Sequence, residues 1–235
     1  MPVESLTLDA AIERLYDSFA AWPRSEQLDF CSHCVLPDEA AALARTPLRD
    51  LGSELLKLFL FNALSWTWGE PDDLWHYLPR ILELLADGEL GDYELDMLFT
   101  AAGGVRRDWP QDQQDALTGY LTALWRAVLS GDQRTAGLSV PGLLQAAGCL
   151  RVQADSYLHA WQAGGEPTAL QLARFIPRLR RSTGLATTWP PGVIEWVTGP
   201  AAKQVLTSAL ATASTPEVAA DLSTALRVLE HDQPA

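Results

Sequence analysis

The sequence predicts an all-α protein of roughly ten helices, arranged as stacked helical hairpins or as an irregular helical bundle. Two observations predict this class. Apolar residues recur at helical spacing along most of the chain, and proline repeatedly stands where a helix would begin. The segment GVIEWVTG (192–199) comes closest to a strand, but it is short and continues into another helical segment.

Start signals and spacing justify each helix of the first half. Residues 8, 11, 12, 15 and 19 are apolar and define the first helix. Proline beside threonine or acidic residues starts the next three helices, at Pro37, Pro47 and Pro71. Helical spacing alone predicts two more. The predicted ranges are about 6–22, 37–45, 47–67, 71–87, 91–103 and 110–130.

The second half is predicted in the same way. Ser214 and Glu217 have the spacing of a capping box around Pro216, ahead of the last apolar stripe. The predicted ranges are about 140–148, 150–163, 167–182 and 190–231, the last in two or three pieces.

Two segments of the chain echo each other. WGEPDDLWHYLPRILELL (68–85) and GGEPTALQLARFIPRLRRS (164–182) share Gly-Glu-Pro and Pro-Arg, and each places a proline, Pro79 or Pro177, where we expect a kink or a new helix. Chance explains the echo as well as duplication does; duplication would favour a HEAT-like stack. We expect one domain over 1–235, or two halves, 1–130 and 143–235, joined by the loop 131–142.

The negative charge lies in the first part of the chain. Residues 1–100 contain 19 Asp and Glu against 6 Lys and Arg, whereas the remainder is balanced at 11 of each. A net negative surface argues against nucleic-acid binding. It fits a basic protein partner, and it also fits plain solubility.

The chain shows no sign of a membrane or secreted protein. Its amino terminus lacks the basic start and apolar stretch of a secretion signal. The most apolar run, 55–68, is shorter than a membrane span and is better explained as a buried core helix. We therefore expect a cytoplasmic protein with reduced cysteines.

The pattern of a Cys-x-x-Cys, then PLRDL (47–51), then WGEPDDLWHYLPRILELL resembles a group of uncharacterised bacterial helical proteins. The resemblance covers residues 30–90 and brings no established activity. That group typically has a different pair of residues between its cysteines, where this chain has Ser-His.

The segment CSHC contains the most suggestive residues, Cys31, His33 and Cys34. A zinc site needs four ligands, so these residues would need help from Cys149, His76 or His159. A redox pair needs helix amides at its first cysteine, yet the predicted helix begins after the second. The default expectation is that both cysteines pack as small apolar residues.

Other polar clusters have structural interpretations beside functional ones. Asp72 and His76, and Asp155 and His159, stand four residues apart but lack the further glutamates of a di-iron bundle. The acidic residues between 87 and 96 do not have the ligand spacing of an EF-hand, so they form either a solvated turn or a docking surface. The acidic candidates are Asp87, Glu89, Asp92, Glu94 and Asp96, and a basic stripe of Arg174, Arg178 and Arg181 is expected to pair with the acidic half.

No nucleophile-elbow, phosphate-loop or zinc-protease motif occurs in the sequence, so an enzyme is not indicated. The leading hypothesis is a non-catalytic protein that acts through protein–protein interaction, as an adaptor or immunity protein, without a cofactor. The alternative is a metal-binding, zinc-dependent or thiol-redox protein that uses Cys31 and Cys34. A weaker third is a small-molecule pocket lined by Trp66, Trp68 and Trp75.

Overall fold

The computed structural model describes residues 6–25, 28–179 and 189–231. The predicted all-α class is confirmed. The described residues contain twelve α-helices: α1 (Leu8–Phe19), α2 (Pro37–Arg45), α3 (Ser53–Leu64), α4 (Leu74–Ala86), α5 (Asp92–Val105), α6 (Gln111–Ser130), α7 (Val140–Cys149), α8 (Asp155–Ala163), α9 (Gly165–Leu179), α10 (Val193–Thr198), α11 (Pro200–Leu210) and α12 (Pro216–His231).

Short 3₁₀ turns account for two of the differences at helix starts. The predicted helix over 47–67 is a 3₁₀ turn at Leu48–Asp50 followed by α3, and the one over 71–87 is a 3₁₀ turn at Pro71–Asp73 followed by α4. Pro47 caps the first turn, which ends before α3 begins, whereas Pro71 starts the second turn, which runs directly into α4. The strand-like segment 192–199 forms the short helix α10.

Of the two expected outcomes, a kink or a new helix, neither interior proline starts a new helix. Pro79 lies within continuous α4, and Pro177 lies within α9. A proline inside a helix removes the hydrogen bond to the carbonyl four residues earlier, and its ring crowds that carbonyl. The extensive burial of α4, where Leu78, Ile81 and Leu82 are fully covered, offsets that loss.

The chain divides into two compact units, residues 1–123 and 124–235. The division falls inside α6, and the loop 131–142 belongs to the second unit. In the first unit α4 packs against α1 and α3. Its aromatic core includes Trp109, whose ring lies 5.2 Å from that of Phe19 and 4.9 Å from that of Trp75.

The second unit is organised around α9, which packs against α7, α8, α11 and α12. Trp161 is its aromatic centre. The ring of Trp161 lies 5.0 Å from that of Trp125 and stacks at 5.6 Å on that of Trp196. Among the described helices, none is both long enough and apolar enough to span a bilayer.

Candidate functional site

Residues 31–35 form a tight turn ahead of α2. The Cys34 N–H donates to the Cys31 carbonyl at 2.9 Å, and the Val35 N–H donates to the same oxygen at 3.0 Å. Because the first and fourth residues of such a turn lie within about 7 Å, the turn brings the two cysteines together. We call residues 31–35 the dithiol turn.

A short antiparallel pairing holds the dithiol turn against the chain that follows α3. The Cys31 N–H donates to the Thr67 carbonyl at 2.8 Å, and Phe30 and Trp68 form an isolated β-bridge. Trp68 is buried, so this pairing fastens the turn to the core of the first unit.

The two thiols of the turn have different electrostatic environments. The backbone N–H of His33 is the main donor to the Cys31 sulfur, followed by the His33 ring and the Cys34 thiol, and together they lower the pKa of Cys31 to about 7. The same thiol–sulfur hydrogen bond raises the pKa of Cys34. Cys31 is therefore the cysteine that ionises first.

The expectation that both cysteines pack as small apolar residues is wrong. Cys34 is exposed and Cys31 is partly exposed, because Val35 occupies the buried position of the turn. The amides that a redox cysteine needs are also present. They come from the turn itself rather than from the start of α2.

A cleft of about 490 Å³ lies beside the dithiol turn. Phe30 and Pro37, on either side of the turn, both line it. Phe30 and Leu36 are exposed large apolar residues on either side of the turn. Within the described residues, the buried Nε1 of Trp68, another lining residue, has no hydrogen-bond partner.

A metal site at this turn stays a prediction. In residues 6–25, 28–179 and 189–231, no three His, Cys, Asp or Glu side chains are placed to share a metal ion. Of the more distant candidate ligands, His76 has its Nδ1 3.0 Å from the Trp22 carbonyl. Asp72 accepts from Trp75 Nε1 at 3.3 Å, so the Asp72–His76 spacing serves separate local contacts.

A second feature of the first unit is a groove of about 640 Å³ between α3 and α5, which we call the α3–α5 groove. Phe61 and Tyr93 are its exposed large apolar residues, at 53% and 64% exposed. The apolar lining consists of Leu55, Leu58, Leu60, Phe61, Tyr93 and Met97.

Three carboxylates and one ammonium group form the polar part of the groove. Glu39 and Glu94 each accept a backbone N–H at the start of their own helices, at 2.8 and 2.9 Å. Lys57 Nζ lies 2.9 Å from Glu54 Oε1. The pKa of Lys57 is raised, first by this hydrogen bond and further by the charges of Glu94 and Glu89. The groove is therefore acidic.

The predicted acidic candidates lie along the α4–α5 connection. Asp87 is the C-cap of α4, and Glu89 is exposed in the turn. Asp92 and Glu94 belong to the first turn of α5, and Asp96 follows them. Of the five, Glu94 lines the α3–α5 groove, which gives the predicted docking surface an apolar floor that the sequence did not indicate.

Of the arginine stripe, Arg174 does not pair with the acidic first half as expected. Arg174 Nε lies 3.3 Å from Asp221 Oδ2 on α12, so its partner comes from the second unit instead of the acidic first half. Arg174 and Arg178 line a cleft of about 330 Å³. Arg181 lies outside the described residues.

The three tryptophans of the weaker alternative, a small-molecule pocket, do not share one environment. Trp68 and Trp75 are buried in the core, whereas Trp66 is 69% exposed on the surface. Trp66 also has a positive φ of 58°, a conformation that glycine adopts more readily. The three tryptophans were grouped as candidate pocket residues because they are close along the chain.

Sequence reasoning missed Phe61 and Tyr93. Residues 55–68 are predicted as a buried core helix because apolar residues occur on all faces of the segment. The apolar character of this helix was the signal that could have indicated an exposed binding surface, since a helix that is apolar on every side needs a partner on every side. Tyr93 was overlooked because its neighbours in the sequence are acidic.

Comparison with known proteins finds no matching family model, no matching curated protein and no matching solved structure. The dithiol turn and the α3–α5 groove are therefore interpreted from their own geometry.

Proposed function

We propose that this chain is a cytoplasmic, non-catalytic protein that acts through protein–protein interaction, and that the α3–α5 groove binds a basic amphipathic helix. The observation that supports this most strongly is an open apolar groove bordered by carboxylates. An amphipathic helix bound in a hydrophobic groove is a recurrent mode of peptide recognition.

The spacing of the apolar residues suits a helix as the occupant. On α3, Leu55, Leu58 and Phe61 follow one another at three-residue steps, and on α5, Tyr93 and Met97 are four apart. Residues three and four apart form one ridge on a helix surface. Two such ridges on packed helices leave a channel that a third helix can fill.

Exposed aromatic residues give the groove its binding energy. Phe61 and Tyr93 are largely open to solvent, and the described structure gives neither a ring partner. Burying one large apolar side chain contributes about 1.5–3 kcal/mol. Aromatic residues are also the commonest anchors of protein interfaces.

Charge selects a basic partner. The first unit contains 22 Asp and Glu against 8 Lys and Arg. Glu39, Glu54 and Glu94 outnumber Lys57 in the groove itself. Such a field accelerates association with a basic segment and opposes binding of nucleic acid.

The test uses a fluorescein-labelled, four-turn peptide with leucine at helical spacing and lysine elsewhere, titrated with the full chain and followed by anisotropy. We expect Phe61→Ser to weaken binding at least tenfold, about 1.4 kcal/mol. Leu36→Ser removes an exposed apolar residue outside the groove and should bind as the parent protein does.

Two further peptides separate shape from charge. A peptide of the same composition with scrambled leucines should bind at least tenfold more weakly, and one with glutamate for lysine should not bind. Equal affinity of the parent protein and Phe61→Ser, or of the helical and scrambled peptides, would refute the groove as the binding site. Circular dichroism confirms that each variant is folded.

A further inference from the structure

We propose that Cys31 and Cys34 form a dithiol–disulfide pair that exchanges with a substrate disulfide, with Cys31 as the attacking cysteine and Cys34 as the resolving cysteine. The exchange is stoichiometric, one substrate disulfide per reduced dithiol, so it adds to the non-catalytic role proposed for the α3–α5 groove and depends on other residues of the first unit.

The turn geometry makes an intramolecular disulfide attainable. The hydrogen bonds from the Cys34 and Val35 amides to the Cys31 carbonyl define one tight turn. Cysteines three residues apart in such a turn have Cα atoms less than about 7 Å apart, the limit beyond which a disulfide cannot form without backbone movement. Both cysteines are free thiols in the structure.

The surroundings distinguish a reactive pair from a structural one. The turn is fastened by the buried Val35 side chain and by the Cys31 N–H bond to Thr67, so neither sulfur is needed to hold it. Cys34 is exposed and Cys31 is accessible. Because the two thiols contribute little to packing and share a hydrogen bond, they are available to react with a substrate and with each other.

The different surroundings of Cys31 and Cys34 indicate different roles in the exchange. Cys31 Sγ faces the His33 amide and ring, with His33 Nδ1 at 3.9 Å, and these donors favour a thiolate there. Cys34 donates to that sulfur and so keeps its proton until Cys31 has reacted.

The exchange has two steps. The Cys31 thiolate attacks one sulfur of a disulfide R–S–S–R′, which forms Cys31–S–S–R and releases R′–S⁻, and this thiolate takes up a proton from water. Cys34 then loses its proton to water and attacks Cys31 Sγ, which forms the Cys31–Cys34 bond and releases R–S⁻. The protein loses two electrons and the substrate disulfide becomes two thiols.

The substrate class is a disulfide, either of a small molecule or of a polypeptide. The exposed side chains of Phe30 and Leu36 and the cleft beside the turn offer apolar surface to a polypeptide chain. A small disulfide needs only access to Cys31 Sγ. The two sources are separated by oxidised glutathione and insulin as probes.

The experiment follows each cysteine of the full chain by peptide mass spectrometry after acid quenching. With oxidised glutathione, the parent protein and Cys149→Ser should form the Cys31–Cys34 disulfide. Cys34→Ser should stop at a glutathione adduct on Cys31, formed at least tenfold faster than the adduct on Cys34 in Cys31→Ser. A parent protein that forms no Cys31–Cys34 disulfide, or adducts forming at equal rates, would overturn the proposal.

The experiment with insulin identifies whether the substrate disulfide belongs to a polypeptide or to a small molecule. Reduction of insulin chains by the reduced protein, lost in Cys31→Ser and kept in Cys149→Ser, assigns a polypeptide disulfide. Reaction with oxidised glutathione alone assigns a small disulfide. Reaction with neither probe contradicts thiol–disulfide exchange, whereas it would leave peptide binding at the α3–α5 groove unaffected.

Discussion

The two units of this chain share a helical fold class but differ in the surface that they present. Of the six exposed large apolar side chains in the described residues, five lie in the first unit. The first unit has 22 acidic against 8 basic residues, whereas the second has 8 against 9. The second unit uses its tryptophans for packing, around Trp161. The contrast teaches that aromatic content alone does not indicate a binding surface; exposure does.

The largest expected effect separates a packed aromatic from an exposed one. Trp161→Ala in the second unit should lower the free energy of unfolding by about 3–5 kcal/mol, because a buried ring leaves a cavity. Phe61→Ala in the first unit should change it by less than about 0.5 kcal/mol. Urea unfolding followed by circular dichroism measures both. Similar losses in the two variants would erase the contrast between the units.

The next effect concerns the backbone that supports the dithiol turn. Gly69 has a positive φ of 68°, and its N–H donates to the Asp29 carbonyl at 2.7 Å. A Cβ there would meet an Asp73 carboxylate oxygen at 2.9 Å. Gly69→Ala should therefore destabilise the protein by about 1–3 kcal/mol. Gly104→Ala is the control, since Gly104 lies inside α5 and no atom lies within 4 Å of its added Cβ. Equal unfolding midpoints for the two variants would contradict this account.

A smaller effect comes from two residues with left-handed backbone, one in each unit. Trp66 has φ 58° and Arg151 has φ 53°. Trp66→Gly and Arg151→Gly should each stabilise the protein by about 1 kcal/mol, because glycine removes the Cβ strain. Thermal and urea unfolding test this. A loss of stability in Trp66→Gly would show that the exposed ring supports the fold, and that it should not be counted as free surface.

The effect of pH on the thiols is expected in the reaction rate. Site-resolved alkylation by iodoacetamide should reach half of its maximal rate near pH 7 at Cys31, because the His33 amide and ring lower the pKa of that thiol. The rate at Cys34 should keep rising above pH 9, since its pKa is raised. Identical pH profiles at the two cysteines would mean that the turn does not distinguish them.

The fold class followed from the sequence because its signals are local. Proline at the first position set the bounds of α2, and helical spacing predicted α5 and α6 to within about two residues. The 3₁₀ turns were not predicted, since the same proline signal starts either kind of helix.

The sites were predicted only in part, because exposure depends on contacts between distant segments. The spacing of Cys31 and Cys34 identified the pair, yet it gave no sign that Val35 would take the buried position. Glu94 was identified by charge, whereas the apolar floor beside it requires α3 and α5 to pack together.

The most direct test of the proposed function is hydrogen–deuterium exchange of the full chain with and without the leucine–lysine peptide. Binding in the α3–α5 groove should protect backbone amides of α3 and α5, with unchanged exchange in the second unit. Protection should disappear in Phe61→Ser and persist in Leu36→Ser. Protection confined to the second unit, or no protection at saturating peptide, would contradict the groove as the interaction site.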